Sequence, residues 1–244
     1  MKRKAKIRLF VEMPMAAGQA VPIGQAQAHY LFGVMRLKLG DQLMVFNGVD
    51  GEWLAEVVKA GKRNGLLACL EQTKPLQLPP DLWLMFAPIK KARTAFIVEK
   101  SVEMGARQIM PVTTQYTNSD RLNLARLETH AIEAAEQCGA TSVPEVSEPV
   151  KFTALLDAWP EDRQLMFCDE SRDSLPAAAA LQGKTAGKWA IIIGPEGGFS
   201  PDESAQLKAL VQTTAVSLGP RILRADTAVI AAMTAWQQVL GDWK

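Results

Sequence analysis

Short apolar runs alternate with helical patterns after residue 80, and this alternation restricts the fold of the chain more than any other feature. The runs are rich in branched side chains, as strands buried on both faces are, and the segments between them space apolar residues as amphipathic helices do. The predicted strands cover residues 82–87, 108–112, 165–168, 189–193 and 215–218, and the predicted helices cover 92–104, 122–138, 201–211 and 227–240. This succession favours an α/β domain with a mostly parallel sheet that helices cover on both faces.

The first 74 residues have a different pattern, in which short strands follow one another with little helix between them. Asp50-Gly51 and Asn64-Gly65 are typical of the tight turns that join antiparallel neighbours. The predicted strands cover 7–11, 42–47, 52–60 and 65–72, with a short helix at 25–35. The pattern indicates a small antiparallel β-barrel or sandwich.

Prolines at positions 75, 79 and 80 separate the two patterns, because proline lacks the N–H group that strands and helix interiors use. We therefore predict one domain at 1–74, a linker at 75–80 and a second domain at 81–244. A chain of 244 residues is long enough to bury a sizeable core.

Charge is distributed unevenly along the chain, although the net charge is only +1. Residues 1–75 carry 11 Lys and Arg against 6 Asp and Glu, whereas residues 76–244 carry 16 against 20. A basic first part is typical of a protein that meets a polyanion, and it is also typical of a solvated basic tail.

Composition excludes several classes of protein. Cys69, Cys138 and Cys168 lie far apart and the chain has 2 histidines, so we expect neither a disulfide framework nor a metal site. Glu12 and Pro14 interrupt any apolar run after the basic N-terminus, so we expect no signal peptide. No apolar run approaches the ~20 residues that cross a bilayer. A reduced, cytoplasmic protein fits these features best.

The predicted strand at 189–193 runs directly into a Gly-Pro-Glu-Gly-Gly segment at 194–198. In open α/β sheets ligands lie beyond the carboxyl ends of the strands, and glycine lets the backbone approach them closely. Ser200, Pro201 and Glu203 fit a capping box at the start of the next helix. No Lys follows the glycines, and Asp202 and Glu203 already occupy the positive end of that helix, so a phosphate loop is excluded. The segment favours an adenosine that carries a positive group, or a tight turn without a ligand.

A second loop of the same style follows the predicted strand at 215–218. It contains Gly219-Pro220 and adds Arg221 and Arg224, and either Asp226 or Thr227 is expected to cap the next helix. Because both loops follow parallel strands, we expect them to converge on one crevice. Arginines there would bind phosphate or stabilise an anion, and otherwise they would form surface salt bridges.

The two loops together resemble the cofactor loops of SPOUT methyltransferases, an α/β fold with a deep trefoil knot. Within that group the chain resembles the ribosomal RNA small subunit methyltransferase E family. Matching segments are found at residues 29–36 with 40–41, at 98–105, at 133–139 and at 143–146. The resemblance implies a C-terminal SPOUT domain, an N-terminal PUA-like β-barrel that binds RNA, S-adenosylmethionine (SAM) as cofactor, and a homodimer through the knotted domains.

The resemblance also implies which residues act. Cofactor contacts are expected from Ile193, Gly194, Pro195, Glu196, Gly197, Gly198, Leu218, Gly219, Pro220, Ile222 and Leu223. Catalytic residues are expected at Arg221 and Arg224, and RNA contacts at Arg8, His29, Arg36, Lys90 and Arg121. Glu196 has two interpretations, a contact to the cofactor or a residue that only closes the turn.

The implied reaction is methylation of N3 of a uridine in 16S ribosomal RNA of the small subunit. It requires loss of the imide proton and in-line attack on a sulfonium methyl, so the enzyme must align the reactants and favour the anionic base. No His is placed as a general base, and we expect arginine stabilisation with a weak base or solvent as proton acceptor. The alternatives are a SPOUT enzyme that methylates a ribose 2′-hydroxyl or transfer RNA, and a non-enzymatic RNA-binding ribosome-assembly factor.

Overall fold

The computed structural model describes residues 7–118, 122–171 and 173–243. The chain forms two compact units. The first contains the chain up to Leu78 and the separate segment Ala135–Val143, and the second contains Pro79–Ala134 and the chain from Pro144 onward. Four of the basic residues near the N-terminus, Lys2, Arg3, Lys4 and Lys6, lie outside the described residues.

A five-stranded sheet forms the first unit, in the spatial order β1-β3-β4-β5-β2. The strands are β1 (Arg8–Phe10), β2 (Ala20–Ile23), β3 (Gln42–Phe46), β4 (Glu52–Ala60) and β5 (Gly65–Lys74). All neighbours are antiparallel except β1 and β3, which are parallel. Register shifts between β4 and β5 bend these long strands, and one face of the sheet buries a core that includes Leu43, Val45 and Leu67.

The predicted helix at 25–35 is confirmed, with an irregularity in its second half. It begins as α1 (Gln25–Ala28) and continues as a π-helical segment at His29–Val34. The turn that follows places Arg36 at φ 58°, a left-handed conformation that residues with a side chain seldom adopt. π-Helical turns occur often at functional sites. This one contains His29, and Arg36 lies in the turn directly after it; both are predicted RNA contacts.

A seven-stranded sheet forms the core of the second unit, in the order β12-β10-β11-β6-β7-β8, with β9 also paired to β7. Its strands are β6 (Leu82–Phe86), β7 (Gln108–Thr113), β8 (Glu145–Val146), β9 (Val150–Lys151), β10 (Gln164–Cys168), β11 (Trp189–Ile193) and β12 (Thr213–Val216). Every neighbouring pair is parallel, which confirms the predicted parallel sheet. All of β11 is buried, as expected of a central strand covered on both faces.

Helices connect these strands. They are α2 (Lys91–Glu103), α3 (Leu124–Cys138), α4 (Phe152–Asp157), α5 (Ala177–Leu181), α6 (Pro201–Ala209) and α7 (Ala225–Val239). Gly105 and Gly139, at φ 79° and 84°, follow the ends of α2 and α3 in the left-handed conformation that commonly ends a helix. Within the described residues no helix is both long and apolar enough to cross a membrane.

The two elements on either side of the second Gly-Pro loop each begin two residues earlier than predicted. The strand expected at 215–218 lies at Thr213–Val216, and the last helix begins at Ala225 rather than at 227. Its N-cap is Arg224, which makes no side-chain capping hydrogen bond, so neither Asp226 nor Thr227 is the cap. Asp226 lies instead in the first turn, where the helix dipole favours a negative charge.

Candidate active site

The carboxyl ends of β10, β11 and β12 form one edge of the second sheet, and the loops beyond them line a single cavity. The prediction that the two Gly-Pro loops converge is therefore confirmed. The lining residues are Cys168, Asp169, Glu170, Ile193, Gly194, Pro195, Gly198, Phe199, Leu218, Gly219, Arg221, Ile222, Leu223, Ala225 and Ala228. Most of the wall is apolar side chain or glycine backbone, and the charged groups are two carboxylates and one guanidinium.

The first Gly-Pro loop is held by the helix that follows it. Ser200 caps α6 by accepting the N–H of Glu203 at 3.2 Å, and Glu203 accepts the N–H of Ser200 at 2.9 Å, which confirms the capping box. The other carboxylate oxygen of Glu203 accepts the N–H of Gln115 at 2.7 Å. This buried carboxylate thereby joins the loop after β7 to the loop after β11.

Gly197 and Gly198 both lie where a side chain would meet close neighbours. A Cβ on Gly197 would lie 3.3 Å from the Cβ of Tyr116, and a Cβ on Gly198 would collide with the carboxylate of Glu170. Gly198 also has φ +70°, which strains any residue with a side chain. The loop after β10 therefore approaches the backbone of the loop after β11 without room for a side chain between them.

Asp169 and Glu170 follow β10 and were not predicted from the sequence. Asp169 is buried and accepts hydrogen bonds from Ser171 Oγ at 2.8 Å and Ser174 Oγ at 3.1 Å, and Lys208 Nζ lies 2.8 Å away. Burial opposes ionisation, but the hydrogen bonds from Lys208 and Ser171 outweigh it and lower the pKa of Asp169. The only signal in the sequence was an acidic pair directly after a predicted buried strand. That pair indicates a site residue only once β10 is known to lie beside β11, which carries the first Gly-Pro loop.

The second Gly-Pro loop contributes lining residues whose backbone donors are unpaired. Within the described residues the N–H groups of Leu218, Ile222 and Leu223 donate to no protein acceptor. The side chains of these three residues add apolar surface to the same wall. Free N–H groups beside apolar side chains suit a flat heterocycle, which needs edge hydrogen bonds and apolar contact together.

Some of the other predicted site residues line the cavity and some do not. Arg221 lines the cavity and is exposed, whereas Arg224 is exposed at the N-cap of α7 and is not part of the lining. Glu196, Gly197 and Pro220 are also outside the lining, although their neighbours are part of it. The remaining predicted cofactor contacts line the cavity.

Three of the predicted RNA contacts are exposed. His29 and Arg36 are exposed on the first unit, and Lys90 is exposed at the N-cap of α2 in the second. Arg121 lies outside the described residues. These positions stay predictions for RNA contact.

Arg8, the remaining predicted RNA contact, is engaged by groups of the protein itself. Its Nε donates to Glu52 Oε2 at 2.7 Å, and its terminal nitrogens donate to the backbone carbonyls of Ala135 and Ala140, each at 2.6 Å. The guanidinium also lies over the Phe46 ring, 4.5 Å from its centroid. Arg8 thus joins β1 to the segment Ala135–Val143 within the first unit, and few of its donors are left for RNA.

Two family models match this chain. Residues 76–237 match an RNA methyltransferase domain, and residues 23–67 match an RNA methyltransferase PUA domain. The chain belongs to the ribosomal RNA small subunit methyltransferase E family. The family member from Rickettsia conorii is 31% identical over 96% of both chains.

Solved structures agree with this family assignment. A member of the family from Neisseria gonorrhoeae, bound to SAM, matches with a TM-score of 0.82 at 27% identity and covers 98% of this chain and 99% of its own. A putative methyltransferase from Legionella pneumophila with SAM bound has a TM-score of 0.84 at 26% identity, over 97% and 98% of the two chains. The α/β SPOUT fold with an N-terminal PUA-like domain is confirmed.

The cavity suits SAM, the cofactor of this methyltransferase family. The free N–H groups of the second Gly-Pro loop suit the adenine edge, and the carboxylate of Glu170 suits a positive charge. Among residues 7–118, 122–171 and 173–243, no cluster of three or more His, Cys, Asp or Glu side chains could hold a metal ion.

Proposed function

We propose that this chain transfers the methyl group of SAM to N3 of a uridine in 16S ribosomal RNA. The observation that carries the proposal is the single cavity lined by both Gly-Pro loops, with its apolar walls, free backbone N–H groups and carboxylates. Membership of an RNA methyltransferase family supports RNA as the substrate, and relatives named for the small-subunit ribosomal RNA support 16S RNA in particular. The choice of uridine N3 rests on the resemblance of the whole chain to this family.

Different groups of the cavity suit different parts of the cofactor. Backbone N–H groups of Ile222 and Leu223 would pair with the adenine, Phe199 and Leu218 would pack beside it, and Glu170 would offset the positive charge. When bound, SAM supplies a methyl group activated by its sulfonium. A carboxylate near that sulfonium is worth more inside a cavity than in open water, because the local dielectric constant is lower.

Arg221 is the cation best placed to favour the anionic base, because it lines the cavity beside the loops. A guanidinium stays protonated at every working pH, so it stabilises negative charge that develops on the uracil ring. Arg224, at the N-cap of α7, contributes positive charge from outside the lining. Replacing Arg221 by Ala should therefore lower turnover more than it weakens SAM binding.

Among the side chains that line the cavity, no histidine is available as a general base. The buried Asp169 is engaged by two serines and a lysine, and its lowered pKa makes it a poor proton acceptor. We therefore assign the imide proton to solvent or to a weak base, with alignment and Arg221 as the main sources of rate.

The same resemblance leads us to propose a trefoil knot in the second unit, a homodimer formed through that unit and a cytoplasmic location. The knot is tested by tracing the chain in an experimental structure. The dimer is tested by light scattering of the full chain, where a mass near 26.6 kDa would refute it.

Mass spectrometry of 16S ribosomal RNA tests the proposed function directly. RNA from a strain lacking the gene should lose one N3-methyluridine, and the restored gene should bring it back. An unchanged modification pattern would refute the proposal. Calorimetry with SAM separates an enzyme from an RNA-binding assembly factor, because only the enzyme needs to bind the cofactor.

A further inference from the structure

A second cavity, of about 390 Å³, lies within the second unit and has a chemistry opposite to that of the first. We call it the basic cavity, and its lining residues are Ile89, Lys90, Lys91, Thr94, Ala95, Asn118, Leu122, Asn123, Arg126, Leu127 and His130. The described lining has three permanent cations and no carboxylate, whereas the first cavity has two carboxylates and one cation. A volume of this size is within the usual range for a small ligand.

The cations are placed where an anion would stabilise them. Lys90 is the N-cap of α2 and Lys91 its first residue, so both lie at the positive end of the helix dipole, and the first turn has no acidic residue. A positive charge such as that of Lys90 is unfavourable at a helix N-terminus, and an anion bound there would stabilise it. Arg126, in the first turns of α3, brings a third cation to the same cavity, and within the described residues no ion pair of Lys90 or Arg126 is found.

The rest of the lining suits a nucleobase. Ile89 and Leu127 are almost fully buried and provide an apolar floor. The amide side chains of Asn118 and Asn123 provide donors and acceptors of the kind that read base edges. His130 has no hydrogen-bond partner for either ring nitrogen within the described residues, and its nearest carboxylate, Glu133, is 3.5 Å away.

The basic cavity also lies on the same edge of the sheet as the cofactor loops. It is formed by the segments that follow β6 and β7, and β6 pairs directly with β11, which carries the first Gly-Pro loop. Side chains link the two neighbourhoods: Arg93 of α2 lies 3.8 Å from Asp226 in the first turn of α7, and Tyr116 packs against Gly197.

We propose that the basic cavity binds one unstacked nucleotide of the RNA strand, with its phosphate at Lys90, Lys91 and Arg126 and its base on the apolar floor. An enzyme that modifies a base must take the strand out of its stacked form, and a site for an unstacked nucleotide beside the cofactor would hold the strand in place. The inference rests on the proposed function in one respect, that the substrate is RNA.

The test measures binding of a fluorescent single-stranded RNA decamer rich in uridine to the full-length protein saturated with SAM, at several salt concentrations. The variant Lys90→Gln/Arg126→Gln removes two cations from the cavity. For a single strand each lost phosphate contact lowers the slope of log affinity against log salt by about 0.7, so the slope should fall by about 1.4. The same change predicts roughly tenfold weaker binding at 0.15 M salt.

Two further variants make the result specific. Lys100→Gln removes the same charge from the last turn of α2, where Lys100 pairs with Glu103 outside the cavity, and it should leave RNA binding unchanged. Ala95→Phe fills the cavity without changing charge and should weaken RNA binding, while calorimetry shows unaltered SAM affinity. The melting temperature of each variant shows that it is folded.

An RNA affinity and salt slope of the double variant equal to those of Lys100→Gln would overturn the inference, even if the wild-type protein methylates RNA. Cavity-dependent RNA binding by a wild-type protein that transfers no methyl group would instead support the inference and refute uridine methylation. The two proposals therefore fail separately.

Discussion

Replacing Gly198 by Ala should weaken SAM binding through the loop after β10. Gly198 has φ +70°, and the position of a new Cβ is occupied by the carboxylate of Glu170. Glu170 is exposed, so its side chain can rotate away, but it then leaves the cavity that it lines. Gly183→Ala is the matched control, because Gly183 has φ +78° with nothing within 4 Å of a new Cβ.

The two substitutions share one free-energy term and differ in another. A left-handed conformation costs a residue with a Cβ about 1–2 kcal/mol, so both variants should lose a similar amount of unfolding free energy. Only Gly198→Ala also displaces the carboxylate that we propose to face the positive charge of SAM, and an interaction with a charged group contributes about 1.5–3 kcal/mol. We therefore expect SAM affinity to fall roughly 10- to 100-fold in Gly198→Ala and to stay unchanged in Gly183→Ala.

Urea unfolding measures the shared term, and calorimetric titration with SAM measures the difference. Equal SAM affinity in Gly198→Ala and the wild type would show that Glu170 does not hold the cofactor. Loss of affinity in Gly183→Ala as well would show that general destabilisation, rather than the position of Glu170, explains the effect.

Three further predictions concern single side chains. Glu203→Gln keeps one acceptor but points an amide N–H at a backbone donor, either Ser200 or Gln115, so chemical unfolding should show a loss of about 1.5–3 kcal/mol. Arg8→Ala should lower the melting temperature and cost about 3–5 kcal/mol, because it leaves the buried Glu52 without its main partner. Burial raises the pKa of Glu52, but hydrogen bonds from Arg8 and Thr73 outweigh burial and lower it. The folding stability that this carboxylate contributes is therefore present above the ordinary value of 4.5 and is lost as the pH falls through the lowered pKa. Acid titration should show a smaller loss of stability in Arg8→Ala than in the wild type. Arg221→Ala should reduce the single-turnover methylation rate by roughly 10²–10³ with little change in SAM affinity, and an unchanged rate would refute its catalytic role.

Local signals were sufficient for the main elements of the fold. Trp189–Ile193 was predicted with both ends correct, because five apolar residues are followed at once by Gly-Pro. The capping box of α6 could be predicted because Ser200, Pro201 and Glu203 lie within a single turn. By contrast, β8 and β9 have two residues each and exist only through their register with β7, so no periodicity could reveal them.

The parts of the site whose residues are neighbours in sequence were predicted. The parts whose residues become neighbours only through strand pairing were missed. The Gly-Pro loops carry their own signature of glycine, proline and arginine. Asp169 and Glu170 matter because β10 pairs with β11 in parallel, which a reading of residues 165–170 alone does not reveal. The long-range partners of Arg8 could not be predicted for the same reason, since its carbonyl acceptors are found more than 120 positions later.

The discontinuity of the first unit has a consequence for how the protein is made. Synthesis proceeds from the N-terminus, and domains usually fold as they emerge. Here β1 to β5 emerge long before the carbonyls of Ala135 and Ala140, which accept hydrogen bonds from Arg8. A nascent chain of 78 residues therefore holds the whole five-stranded sheet but not its last segment, and the N-terminal unit can reach its final form only after Pro79–Ala134, about a third of the second unit, has been synthesised.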